Sequence, residues 1–191
     1  MYDNLSASID SDGRMQTNEQ FIYCMQQTAG TPTDQYNQIT IKLKKSGSPN
    51  VDLKGVVMSG SVVTPGSSAS MTIVECSNNI INSGDVTTSY TDYTFTFDSN
   101  HSLASGAQFG LGITTNSSSD NSNELLVGLH NGLVTDYQIG RASGSVMSCS
   151  GTRTMFYSHP SGYSMCAKLE KVIPEISSVG LPPPPIILER F

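Results

Sequence analysis

The chain has 191 residues, 37% of them hydrophobic and 14% charged, with a formal net charge of -6. That length suits one domain with extensions and a core that needs no metal or cystine staple. Its few lysines form no run, which excludes the clustered cations of a nucleic-acid binder or an anionic-membrane binder, and no apolar stretch approaches the roughly 20 residues of a membrane-inserting helix.

The opening "MYDNLSASIDSDGR" has neither a basic nor an apolar signal region, so the expectation is synthesis in the cytoplasm without a cleaved leader. "SIDSDGRMQTNE" matches part of a twelve-residue calcium loop. Asp10 and Asp12 stand at positions 3 and 5, Gly13 at 6 and Glu19 at 12, although Ser8 holds the place of the first carboxylate. A structural Ca2+ on Asp10, Asp12 and Glu19 is therefore the one cofactor candidate, against a plain acidic turn; otherwise no cofactor is expected. Residues 1–19 read as an N-terminal extension.

From residue 20 the dominant signal is period-2 alternation. In "YNQITIKLKKSGSPNVDLKGVVM", Ile39, Ile41 and Leu43 face one way and Thr40, Lys42 and Lys44 the other. After "SGSPN", Val51 and Leu53 resume the apolar face, which predicts a hairpin whose outer Lys and Asp residues pair across strands. "ASMTIVEC" is a further strand. In "TTSYTDYTFTFDS", Tyr93, Phe95 and Phe97 point inward, a register that a one-residue slip would ruin. "AQFGLGITT" puts Phe109, Leu111 and Ile113 on one face and Gly110 and Gly112 on the other. "TTNSSSDNSN" is a polar loop. In "ELLVGLHNGLVTDYQIG", Asn131-Gly132 suits a two-residue turn that folds Leu125, Val127 and Leu129 back against Leu133. Strands around "RTMFYS" and "GYSMCAKLEKV" complete the set. No helical pattern survives, so about eight to ten strands predict an all-β fold, an antiparallel β-sandwich resembling a jelly roll, over residues 20–173.

At "PEISSVGLPPPPIILERF" Pro174 ends the last strand, and residues 174–191 read as an extended Pro-rich C-terminal arm. Pro182, Pro183, Pro184 and Pro185 would form a polyproline rod of about 12 Å. It would hold Ile186, Ile187, Leu188 and Phe191 away from their own domain. Such a segment suits addition to the sheet edge of another subunit, which makes the arm a docking device.

Cys24, Cys76, Cys149 and Cys166 include no C-x-x-C pair, which argues against a zinc ribbon or redox motif. They read either as buried apolar residues or as one or two disulfides, with Cys24–Cys166 the favoured pair because first and last strands often adjoin in jelly rolls. His101, His130 and His159 lie in or beside turns, Asp52, Asp92 and Asp98 stand singly on strand faces, and no nucleophile elbow or zinc-protease motif is present, so an enzyme is not expected. Tyr2, Tyr36, Tyr90 and Tyr163 are the candidate contacts for a host glycan, in a chain without Trp. Asn4, Asn100 and Asn116 open Asn-x-Ser sequons.

"ITIKLKKSGSPNVDLKGVV", "DVTTSYTDYTFTFDSNHSLASGAQFGLGI" and "SSSDNSNELLVGL" together resemble the choice-of-anchor jelly-roll domains of microbial surface proteins and virus structural proteins. The resemblance implies a surface module and supplies no catalytic or binding residues. The resulting expectation is a non-enzymatic structural protein of a virion surface, made in the host cytoplasm: capsid decoration, head fibre or tail-tip protein of a phage or archaeal virus. Its partners would be its own copies or other virion subunits. The alternatives are an extracellular cell-surface filament subunit and a glycan-binding adhesin module.

Overall fold

A computed structural model describes residues 3–15, 20–28, 34–60, 68–103, 108–116, 122–131, 138–144, 149–157 and 163–170. The Pro-rich arm, including Pro182 to Pro185, Ile186, Ile187, Leu188 and Phe191, lies outside them, as do Glu19, Tyr2 and His159. Among the described residues thirteen strands follow in order: β1 (Ser11–Met15), β2 (Gln20–Thr28), β3 (Asp34–Ser46), β4 (Asp52–Gly60), β5 (Ser68–Cys76), β6 (Ile81–Asn82), β7 (Thr91–Leu103), β8 (Gln108–Thr115), β9 (Glu124–Asn131), β10 (Gln138–Gly144), β11 (Thr152–Tyr157), β12 (Tyr163–Met165) and β13 (Ala167–Glu170). One turn of 3-10 helix, Ser83–Asp85, is the sole helical element among the described residues. The strands exceed the expected eight to ten because several are short and end at bends.

Two antiparallel sheets make an all-β sandwich. The six-stranded sheet runs β1-β9-β3-β13, with β12 also on β9 and β7 on β3. β3 and β9 pair only over Leu43–Ser46 and Glu124–Val127. Beyond that they part, and β12 and β13, joined at the bend of Cys166, fill the fork. The seven-stranded sheet runs β5-β11-β10-β2-β8-β4-β6, and β4 also pairs with β5, so six of its strands close into a ring.

Alternation explains the core. Ile39, Ile41 and Leu43 of β3, Phe95 and Phe97 of β7, Phe109, Leu111 and Ile113 of β8, and Leu125, Val127 and Leu129 of β9 all face inward and are buried. Each large side chain so buried contributes about 1.5–3 kcal/mol before ordering costs. A second apolar layer lies on the other face of β4 and β5. Val56 and Met58 stand in register with Cys76 and Ile73, and Met71 joins them opposite Gly60, all buried inside the ring.

The predicted hairpin is a correction. β3 belongs to the six-stranded sheet and β4 to the seven-stranded one, so "SGSPN" carries the chain between sheets and the two apolar faces meet across the core. Gly47, at φ 72°, makes this exit, where a Cβ would strike the Ser122 carbonyl oxygen. Lys42 consequently pairs with Asp92 of β7, at 2.6 Å, rather than with an Asp of β4. Gly132 and Leu133 of the Asn131-Gly132 turn lie outside the described residues; β9 and β10, the described strands on either side, belong to different sheets. Residues 3–15, expected as an extension, are part of the sandwich: β1 pairs with β9, Asp3 bridges to Lys168, and Met15 is buried in the core.

Side chains finish the edges where strands run out. The Asn79 amide donates to the Thr94 carbonyl oxygen and its oxygen accepts the Thr96 N–H, both at 2.8 Å, so one side chain replaces a strand residue beside β7. Ser83, fully buried, accepts the Val51 N–H at 2.9 Å and donates to the Pro49 carbonyl oxygen at 2.6 Å. A buried backbone group left without such a partner would cost about 1–3 kcal/mol.

Candidate functional site: the charged face under the N-terminal strap

Outward positions of the six-stranded sheet form a ladder of polar cross-strand pairs. Gln38 donates to Glu170 at 2.5 Å, Thr40 and Thr94 share a hydroxyl contact at 3.0 Å, and Lys42 meets Asp92. Lys168 pairs with Glu170 at 2.7 Å, and that hydrogen bond is the main reason its ammonium is held above the usual lysine range. Leu126 separates Arg14 from Lys44 in register, and Gly128 separates Asp12 from the Lys42 side.

Residues 3–10 cross this face as a strap. Asn4 N donates to the Ala167 carbonyl oxygen at 2.9 Å, and Ile9 settles against Gly128, whose ideal Cβ would lie 3.2 Å from Ile9 Cδ1. His130 Nδ1 stands 2.9 Å from Asp10 Oδ2 and 3.0 Å from the Ser8 carbonyl oxygen. The Asn131 N–H, donating at 2.9 Å, is the chief cause that holds the Asp10 carboxyl below the ordinary range, with the His130 charge adding to it.

Beyond the strap lies an open groove of about 540 Å³, lined by Ile9, Asp10, Ser11, Asp12, Arg14, Lys44 and Tyr90. Tyr90 reaches from the start of β7 to donate to Asp12 Oδ1 at 2.6 Å. Lys44 is 3.3 Å from Asp12 Oδ2, and its ammonium sits 4.5 Å from the Tyr90 ring centre, a cation-π distance. Arg14, 58% exposed, meets the buried Glu124 at 3.5 Å on the groove's rim.

Glu19 of the calcium reading lies outside the described residues, so only its other two ligands are placed. Asp10 and Asp12 flank or enter an extended strand paired to β9, so the backbone does not wrap a cation. Asp10 engages His130 and Asn131, Asp12 engages Tyr90 and Lys44, and no group of three or more metal-ligating side chains occurs among the described residues. Tyr36 is 1% exposed, edge-on to Phe97, and its hydroxyl is pushed above the usual range first by burial and then by Glu75; it cannot be a glycan platform. Tyr163 packs partly against the core. Asn116 is spent on Asp52, donating to Oδ2 at 2.8 Å and accepting its N–H at 2.9 Å, so a glycan there would break a sheet connection. Asn4 likewise donates to Met165.

The expected Cys24–Cys166 pair is also corrected. Cys76 and Cys149 form a disulfide, tying the end of β5 to the approach of β11. Cys166 is a buried free thiol. Its neighbours Met165 and Ala167 point into the core, which turns Cys166 to the opposite face, where its Sγ lies 4.0 Å from the Ala7 and Ser8 carbonyl oxygens beneath the strap. Burial pushes this thiol up to about 11, so little thiolate is present at neutral pH. In a Cys24→Ser background the native protein should react with a disulfide reagent at least about tenfold more slowly than the unfolded chain. Equal rates would mean that the strap does not cover the thiol.

The sheets and this face define the class of molecule, an all-β sandwich whose reactive side chains are used on one another. Compared with known proteins, the chain matches no family model, no curated protein and no solved structure.

Proposed function

We propose that the protein is a non-enzymatic structural and assembly subunit of a virion surface, a capsid decoration, head fibre or tail-tip component that multimerises through its termini, with the choice-of-anchor domains as its relatives in design. The observation that carries this reading is the engagement of the groups that could do chemistry. His130 and Asp10 hold the strap, Asp52 holds Asn82 and Asn116, Asp92 holds Lys42, and Asp98 accepts from Asn78. The two carboxylates that share the groove are poorly suited to acid-base hydrolysis, because a general acid needs a raised pKa and that of Asp10 is lowered. The Cys76–Cys149 bond suits the oxidising setting of a particle exterior. The same bond favours a second reading, an exported subunit of a cell-surface filament.

A deletion ending at Gly180 tests the assembly role. The full chain should form a defined oligomer by light scattering, and the shortened one should remain a monomer with an unchanged melting temperature. A full chain that stays monomeric, or a shortened chain that assembles as well, would overturn it.

A further inference from the structure

We infer that the groove between β1 and Tyr90 is a binding site for an uncharged saccharide, with Asp12 and Lys44 addressing neighbouring hydroxyls of one sugar ring. Its volume, about 540 Å³, lies in the range of roughly 300–1,000 Å³ usual for small-ligand sites. Asp12 and Lys44 stand 3.3 Å apart, an acceptor beside a donor. Adjacent ring hydroxyls present the complementary pattern, one donating to the carboxylate and the next accepting from the ammonium. These charge-assisted hydrogen bonds are stronger than neutral ones.

The pair is preorganised. Lys44 is held by Asp12 on one side and the Tyr90 ring on another, while the Tyr90 hydroxyl closes the triangle on Asp12 at 2.6 Å. A ligand therefore meets side chains that are already ordered, which lowers the entropy lost on binding. Ile9 and the Tyr90 ring supply the apolar surface for the C–H groups of a sugar. Charge selects against anions: Asp10 and Asp12 balance Arg14 and Lys44 along the lining, Arg14 already meets Glu124, and the whole chain carries -6. A phosphate or carboxylate would find no net positive field, whereas a neutral polyol needs none.

The test is an amide-shift titration of the full chain by NMR with the methyl glycosides of mannose, galactose, glucose and N-acetylglucosamine, beside N-acetylneuraminic acid and inorganic phosphate. At least one neutral glycoside should give saturable shifts at Ser11, Asp12, Lys44 and Tyr90. Affinity should fall at least about tenfold in Asp12→Asn, on the scale of one lost charged hydrogen bond. Tyr90→Phe keeps the ring and its packing and should weaken binding less than Tyr90→Ala, while Lys168→Ala, elsewhere on the face, should change nothing. Binding of the anions alone, saturable shifts confined to other surfaces, or no response to any glycoside would each overturn the assignment. Assembly is read separately by light scattering, so loss of the groove leaves the structural reading standing.

Discussion

Replacing Cys76 and Cys149 together by serine should lower the unfolding free energy by about 4 kcal/mol, the chain-entropy value for a loop of this length. The bond spans 73 residues, so the unfolded chain it constrains is long and the loop-closure term correspondingly large. A second contribution has the same sign, since Cys76 is 8% exposed beside Val56 inside the ring, and a serine hydroxyl there would need a new partner. The bond anchors the approach to β11, and the far end of that strand forms the thinnest seam of the ring among the described residues. Among the described residues, β10 and β11 are in register over only Gly140–Tyr157 and Arg141–Phe156, whereas β11 and β5 share five pairs. Without the bond the ring should open first at β11, and amide exchange there should quicken before that of β3 and β7 changes. Coincident denaturation midpoints for the oxidised protein and the double serine variant would show that the bond closes nothing of energetic consequence.

That seam illustrates what alternation can and cannot specify. Period-2 patterning assigned the faces of β3, β7, β8 and β9, because each places a large apolar side chain at every second residue and a slip would expose all of them. It carries no information about which strand lies alongside. β3 and β4 read as a hairpin because a short Gly/Ser/Pro turn serves equally for reversal within a sheet and passage between sheets. One signal did separate the two: Val56, Val57 and Met58 are consecutive and all buried, which marks β4 as covered on both faces, unlike a hairpin strand with one face wet. Cystine pairing was open for a similar reason, since four cysteines allow three complete pairings and spacing does not choose among them. Yet the alternation in "MCAKLE" does orient Cys166 away from the core. Tyr90 and Asp12 stand out singly in the sequence, one as a glycan contact and the other in the calcium-loop pattern, but their meeting with Lys44 is not legible there, because the three come from distant strands or strand ends and converge only once β1, β9, β3 and β7 lie side by side.

Gly55→Ala should destabilise the protein by about 3 kcal/mol or more, the upper end of overpacking costs, although it adds a single methyl group. An ideal Cβ on Gly55 would lie 2.6 Å from Phe95 Cβ, 2.9 Å from its Cγ and 3.0 Å from Ile39 Cδ1. Neither side can retreat. Phe95 is fully buried in the middle of β7, and Gly55 is fixed on both edges, by Ile113 in register on one and by Ser77 on the other, which accepts its N–H at 3.0 Å and donates to its carbonyl oxygen at 2.8 Å. The two sheets thus approach at this point more closely than a pair of side chains would allow, and an added methyl group must push them apart and loosen the core around it. Because the nearest atom is a Cβ, which every residue except glycine carries, Phe95→Leu should not rescue Gly55→Ala. Gly128→Ala is the matched comparison: its Cβ would meet the mobile end of Ile9 at 3.2 Å, and a small shift of the strap should hold the loss below about 1 kcal/mol. Urea denaturation of the two alanine variants decides the matter, and equal midpoints would mean that the sheet spacing is not set at Gly55.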